Sequence, residues 1–402
     1  MSLSIDDLAA STPATRDRTV DFLRAASILT VVVGHWLISV VRWQDGVIRS
    51  TNAIGITRGL WIATWILQVM PIFFFVGGFA NLTAYESARR KGASDWTFVR
   101  RRMWRLLKPS LLFLGLWGIV QIALHLADFG APRPPLLPGA STTTLLRGMD
   151  FPPATIPFGP LWFLAVYLVV VAIAPLTVRL HRRYGWRVIT VMVVGAIAAD
   201  VLGFGADSAY RWANVGFILL LPHQFGHFLA DGTLDRLPRR TYTIMAIAGL
   251  AGMLLLTNPP LFELAGDVRF DWFPGIGSYP KSLLGTEAEL VSNAYPPTLV
   301  YLLVGVWTIG AVMLIRPRLQ RWLQRPRPWR FTIGVNAVIM TLFLWHMTAF
   351  LFAMFTLWPL GLGQQHTTGV RFWLEKIPYV AVAGAFLGAI VVLVGRFERP
   401  KA

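Results

Sequence analysis

Cysteine is absent from the 402 residues, which excludes disulfides, thiolate metal sites and a cysteine nucleophile together. Charge is scarce too. Only 14% of residues are Asp, Glu, Lys or Arg, against 55% hydrophobic, where a soluble domain carries about a quarter charged residues. Acidic residues are the rarer sign, 20 against 37 basic, for a net charge of +17. Such an excess invites a nucleic-acid partner, but the basic residues sit in short clusters between apolar runs, so no nucleic acid is expected. No polar stretch is long enough for a separate soluble domain. Transporter-like internal repeats are missing as well. The first apolar run, Val20–Val41, is too long for a signal peptide and lacks a small-residue cleavage site.

What is present is a succession of apolar runs, each near the roughly 20 residues a helix needs to cross the hydrocarbon core. They predict an all-α, polytopic membrane protein with ten spans: Val20–Val41, Trp61–Ala84, Leu107–Ala127, Pro160–Leu180, Val188–Phe204, Trp212–Ala230, Tyr242–Thr257, Pro297–Ile315, Thr332–Leu357 and Ile377–Val394. Residues 1–15 form a polar tail expected to be disordered, and 16–397 a single membrane domain. Alternating the spans places 26 Lys and Arg on one side and 10 on the other, with Arg24 inside the first span. By the positive-inside rule both termini are then cytoplasmic. The outer loops at 128–159 and 258–296 are long, and the second sets Glu263, Asp267, Asp271, Glu287 and Glu289 beside Trp272 and Tyr279. Such a loop suits sugar binding or is simply a solvated loop.

Ionisable residues inside a span point to function. Asp21, Arg24 and His35 share the first one. Eleven residues make just over three helical turns, so Arg24 and His35 face one side, about 16 Å apart along the axis. This suits an acyl-CoA donor: a guanidinium near the cytoplasm for its phosphates, a deep neutral imidazole as general base at its thioester. The alternative is that His35 bonds between helices while Arg24 snorkels to the headgroups.

The stretch Arg18-Thr-Val-Asp-Phe-Leu-Arg24-Ala-Ala-Ser-Ile-Leu-Thr-Val-Val-Val-Gly-His35 resembles the opening of the acyltransferase-3 family, with its Arg, ten residues, His signature. The resemblance continues through Pro71-Ile-Phe-Phe-Phe-Val-Gly-Gly-Phe79, where many members have Ser before the Gly-Phe. It extends to the Arg-rich run Phe98 to Pro109, Leu161-Trp-Phe-Leu164 and Leu342-Phe-Leu-Trp-His346. It implies a ten-helix membrane enzyme carrying acetyl or another short acyl group from acyl-CoA to a carbohydrate or glycolipid. It further implies that His35 is the catalytic histidine, Arg24 its partner, and Arg100 with Arg102 the Arg-x-Arg element. The SGNH-type domain of some members has no counterpart here, so the membrane domain is expected to act alone.

Ser94–Lys108 reads as an amphipathic surface helix capped by Ser94. Its cations, Arg105 among them, either anchor headgroups or attract the nucleotide end of the donor. His346, about midway along the ninth span, is either a bonded inter-helix histidine or a group that positions acceptor or thioester; Asn336 of that span is a weaker candidate. His223, His227 and Asp231 form an i, i+4, i+8 stripe on the sixth span, where Pro222 is expected to kink the helix. No further ligands accompany them, so no metal is expected, and a lining of the donor tunnel is the better reading. Asp200, near the outer end of the fifth span, either binds a sugar hydroxyl or marks the membrane boundary, the latter being the better reading. The expected activity is O-acyl transfer in a bacterial cytoplasmic membrane, with acyl-CoA, an envelope glycolipid or carbohydrate and membrane lipids as partners. A transporter of an envelope sugar or lipid-linked saccharide is the rival, and a cytoplasm-facing lipid acyltransferase a third reading.

Overall fold

The computed structural model describes residues 5–13, 16–44, 47–57, 59–127, 156–257, 279–284, 292–363, 365, 367–395 and 398. Most of both long outer loops thus lies outside the described residues.

Helix α1 (Arg18–Ile38) starts at Asp17, whose carboxylate accepts from Thr19 N at 2.9 Å and Val20 N at 3.1 Å. It ends three residues before the expected limit. The chain turns there into an antiparallel hairpin, β1 (Ser39–Gln44) and β2 (Val47–Asn52), paired from Ser39↔Asn52 to Gln44↔Val47. Val40, Val41, Val47 and Ile48 favour extended backbone over helix, which a count of apolar residues alone cannot reveal. Among the described residues this hairpin is the one sheet in an otherwise helical fold.

A short helix, Trp61–Leu67, precedes α2 (Met70–Arg90), which carries Pro71 in its first turn. The expected surface helix and third span are one unbroken 33-residue helix, α3 (Asp95–Ala127). Ser94 Oγ accepts from Thr97 N at 3.2 Å as its cap. Pro109 sits mid-helix, where Ser110 Oγ donates to Leu106 O at 2.7 Å; neighbouring hydroxyls let membrane helices absorb such prolines.

The fourth expected span is two helices, α4 (Leu161–Ala172) and α5 (Ala174–Tyr184), bent by 57°. Pro175 has no N–H for the carbonyl four residues back, which breaks the ladder at that point. Then follow α6 (Arg187–Gly205), α7 (Asn214–Ala230, unbroken through Pro222), α8 (Arg239–Thr257) and α9 (Leu299–Trp322). The ninth expected span is likewise divided, into α10 (Pro326–Ala337) and α11 (Ile339–Leu357), so Asn336 belongs to α10. Across this break Glu398 accepts from Met340 N and Thr341 N, each at 2.8 Å, and from Thr341 Oγ1 at 2.9 Å. Burial raises the pKa of this carboxyl. Last comes α12 (Val370–Val394).

Among the described residues eight helices are long and apolar enough to cross a membrane, and the bent α4–α5 pair makes a ninth. The sixth expected span is the 17-residue α7, about 25 Å long, short of a hydrocarbon core of about 30 Å. The tail expected to be disordered is helical over Ile5–Ala10, and Thr12 just beyond it accepts from Trp329 Nε1 at 3.2 Å.

Buried side chains fall into two large clusters. One joins α2, α7 and α9; the other joins α1, α3, α11 and α12. Helix α1 belongs to both, with Val20 and Leu23 in the first and Ile28, Val32 and Trp36 in the second. In a bilayer, helices associate through small residues that let backbones approach. Helices α2 and α7 meet this way: a Cβ on Gly78 would lie 1.9 Å from His223 O, and one on Gly226 2.0 Å from Phe75 O.

Gly78→Ala therefore forces this contact apart and should destabilise the protein by about 1–3 kcal/mol, the cost of overpacking. Gly384→Ala, with nothing within 4 Å of the added carbon, should not. Thermal melts of the two variants in detergent measure the difference, and equal melting points would disprove the tight α2–α7 contact.

Candidate functional site

Near the start of α1, Arg24 is held from two sides. Its Nε donates to Asn336 Oδ1 at 2.6 Å, and its Nη2 lies 3.4 Å from Asp21 Oδ1. Asn336 in turn donates to Asp21 O and Thr332 O, both at 2.9 Å. Asp21 also receives Arg16 at 2.5 Å. The guanidinium is thus fixed in place, while the side chain as a whole remains 35% exposed.

Three turns further on, His35 Nδ1 lies 2.8 Å from His346 Nε2, the two rings stacked at 5.1 Å with 14° between their planes. His346 is fully buried, and its Nδ1 lies 2.7 Å from Phe343 O. A carbonyl only accepts, so in a neutral His346 the proton is on Nδ1 and Nε2 is a lone pair. That lone pair takes the Nδ1 proton of His35, which leaves His35 Nε2 unprotonated on a half-buried ring. Trp36 Nε1 donates to His346 O at 2.9 Å and locks α1 against α11 at this level. An imidazole whose tautomer is set by a bonded partner is the arrangement a general base requires.

Beyond His35, the C-terminal carbonyls of α1 are capped by a residue expected in an outer loop. Helix α12 begins at Val370, so Lys376 lies within it, buried, and donates to Trp36 O at 3.1 Å and Ser39 O at 2.5 Å. Its ammonium also lies 4.7 Å from the centre of the Phe372 ring. A cation at a helix C-terminus satisfies free carbonyls and complements the helix dipole. Sequence reasoning missed it because Lys376 precedes the apolar run; its position one residue before that run was the available signal. A small pocket, with room for about one water molecule, opens here among Ser39, Phe350, Trp358, Glu375, Lys376 and Tyr379.

The other candidates divide. Arg102 stacks over Phe98 at 5.8 Å. Arg100 and Arg105 are exposed; two residues along a helix turn by about 200°, so Arg100 cannot share the face of Arg102. His223 and His227 are both buried, with ring centres 4.6 Å apart, and Asp231 is bonded to His181 of α5. Among the described residues no group of three or more His, Asp or Glu is arranged to hold a metal.

Asp200 lies five residues before the end of α6. It is fully buried and accepts from Asn214 Nδ2 at 2.7 Å, Tyr279 Oη at 2.8 Å and Leu299 N at 2.8 Å. Burial, and then the adjoining Asp200 charge, raise the pKa of the Tyr279 phenol. Three bonded partners make Asp200 a structural hub joining α6, α7 and the start of α9.

Residues 17–395 match the acyltransferase-3 family model, described as an acyltransferase domain. No curated protein and no solved structure matches the chain.

Lys376→Met removes the donor for two carbonyls at the end of α1, and an unpaired buried polar group costs about 1–3 kcal/mol. The variant should melt earlier in detergent. An unchanged melting point would show that Lys376 does not hold the end of α1.

Proposed function

The chain belongs to the acyltransferase-3 family and is a membrane acyltransferase, and we propose that it carries an acetyl or other short acyl group from cytoplasmic acyl-CoA to a hydroxyl of a carbohydrate or glycolipid at the outer face of the bacterial cytoplasmic membrane. One observation carries this reading: the Phe343, His346, His35 chain leaves His35 Nε2 as a lone pair on an accessible ring. Arg24 lies about 16 Å away on the same helix, a separation that a phosphate-to-thioester reach fits.

His35 Nε2 takes the proton of the acceptor hydroxyl. The oxygen then forms the ester bond to the acyl carbonyl carbon, the carbon–sulfur bond breaks, and the proton passes to the departing thiol. His346 touches neither reactant; it is a positioning residue that keeps His35 in the basic tautomer. Arg24, beside Arg102, supplies the positive charge for the donor's phosphates, with Arg100 and Arg105 contributing to the field around its nucleotide end. The concentration of Lys and Arg around the start of α1 supports a cytoplasmic entry at the Arg24 end. The acceptor enters from the opposite side, where Glu375, Lys376 and four aromatic rings line a small pocket beyond Ser39. Comparing the lipids and glycans of a deletion strain by mass spectrometry names the acceptor and the acyl mass.

Purified protein in detergent should hydrolyse or transfer from labelled acetyl-CoA without any gradient. His35→Ala should lower kcat by about 10²–10⁴, the usual contribution of a general base. Full activity in that variant would refute the assignment of His35.

His346→Phe leaves His35 free to adopt the other tautomer. It should lower kcat while KM for acetyl-CoA stays within about twofold, because only a step of the reaction uses the base. A rise in KM at constant kcat would instead make His346 part of the donor site.

A further inference from the structure

A groove of about 450 Å³ runs where α10, α11 and α12 meet α1, and the reaction above makes no use of it. It has about three times the volume of an apolar cavity of about 150 Å³ that accepts a benzene ring. Its walls are apolar: Leu29 of α1, Val335 of α10, Leu342 of α11 and Leu387 of α12 all face it. Glycine explains why no side chain fills it. Gly384 and Gly388 stand one turn apart on α12, both exposed, and a Cβ on either would meet nothing within 4 Å. Gly334 removes a side chain from the α10 wall, shortly before the helix break at Val338. In hydrocarbon, glycines at this spacing let a neighbouring backbone approach, as Gly78 and Gly226 do between α2 and α7. On α12, among the described residues, no helix takes that place.

Charge and length define what does. Arg330, exposed one turn into α10, lines one end of the groove and is the one charged residue among its described lining. The Glu398 carboxylate is taken up by Met340 N and Thr341 N and is not part of the wall. Arg325 and Arg327, also exposed, continue the positive charge beyond Arg330. Asn336, bonded to Arg24, lies between Arg330 and Leu342 in the chain, so the charged end of the groove is at the Arg24 end of α1. From Arg330 to Leu342 the helices rise by about 18 Å at about 1.5 Å per residue. That is close to the depth of one leaflet, half of a hydrocarbon core of about 30 Å. A cation at headgroup level above an apolar slot one leaflet deep matches a lipid with a negative headgroup. An α-helix of a second copy is about 10–12 Å across; it can cover the mouth but cannot fill the slot down to Leu29, whereas a single hydrocarbon chain can.

We propose that this groove binds one anionic phospholipid from the leaflet at the Arg24 end, with its phosphate at Arg330 and one acyl chain laid along Val335, Val338 and Leu342 against Gly384 and Gly388. The chain fills the space between α12 and the α10–α11 break, and so supports the helix that carries His346. The site needs neither the acyl donor nor the acceptor, and it stands whether or not acyl-CoA is the donor.

The test is native mass spectrometry of the full-length protein in detergent, titrated with dioleoyl phosphatidylglycerol or dioleoyl phosphatidylcholine. The two lipids share their chains and differ in headgroup charge. One phosphatidylglycerol should stay bound at concentrations where phosphatidylcholine does not. Arg330→Gln should weaken phosphatidylglycerol about fivefold, the worth of one cation at an anionic lipid surface, and leave phosphatidylcholine unchanged. Gly388→Leu, which places a side chain in the groove, should abolish the retained lipid; Gly384→Leu makes the same comparison should the first variant not fold, and each puts a better helix former in place of glycine. Equal retention of the two lipids by the unaltered protein overturns the proposal, because the groove is then wetted by bulk lipid only. Retention that survives Arg330→Gln undiminished, or survives the leucine variants, overturns it by moving the site elsewhere. A dimer that the leucine variants dissolve overturns it in favour of a contact between copies.

Discussion

A polar clasp between the first helix and the α10–α11 pair is the interaction on which the site depends. In hydrocarbon the hydrophobic effect gives little preference for one helix partner over another, so packing and polar side chains decide which helices meet. Arg24 meets Asn336 and His35 meets His346, with nearly the same number of residues between the two contacts on either strand of the clasp. The two segments therefore run parallel and in register. Because α1 also contributes to both buried clusters, this register fixes how the two halves of the molecule face each other. The His35–His346 contact lies among the residues of the second cluster, with Val32, Trp36, Phe343 and Met347 around it in sequence.

The same chemical device occurs twice. In each case a group that can only accept, the Phe343 carbonyl or the Asp231 carboxylate, fixes the proton on one histidine nitrogen. One or two further side chains pass that constraint on, and the last ring presents a bare lone pair. On α1 the lone pair is at a half-buried ring and suits proton transfer. On His227 of α7 it is fully buried, out of reach of solvent.

Much of this was legible in the sequence, for identifiable reasons. Long apolar runs declare membrane helices, and the eleven-residue interval from Arg24 to His35 places both on one face whatever the surroundings. Pro175 signals the α4–α5 bend in retrospect. The α10–α11 break carries no such mark, since no proline or glycine stands at Ala337, Val338 or Ile339; it exists because a carboxylate some sixty residues later claims the amides of the new helix start. The hairpin after Ile38 was hidden for a related reason, as valines read as membrane helix until the chain turns. Tautomers were out of reach altogether. They depend on a carbonyl and an amide side chain whose partners are set only by tertiary packing, as does the depth of Asp200 and Lys376.

The Glu398 contact ties the end of the chain to the helix that carries His346. Val338 offers no side-chain cap, so the first turn of α11 depends on an anion borrowed from beyond α12. A carboxylate there also complements the positive end of the helix dipole. Since burial raises the pKa of this carboxyl, acidification neutralises it before it neutralises an exposed glutamate. The ring that orients His35 is thus mounted two turns from a contact that loses its charge in acid.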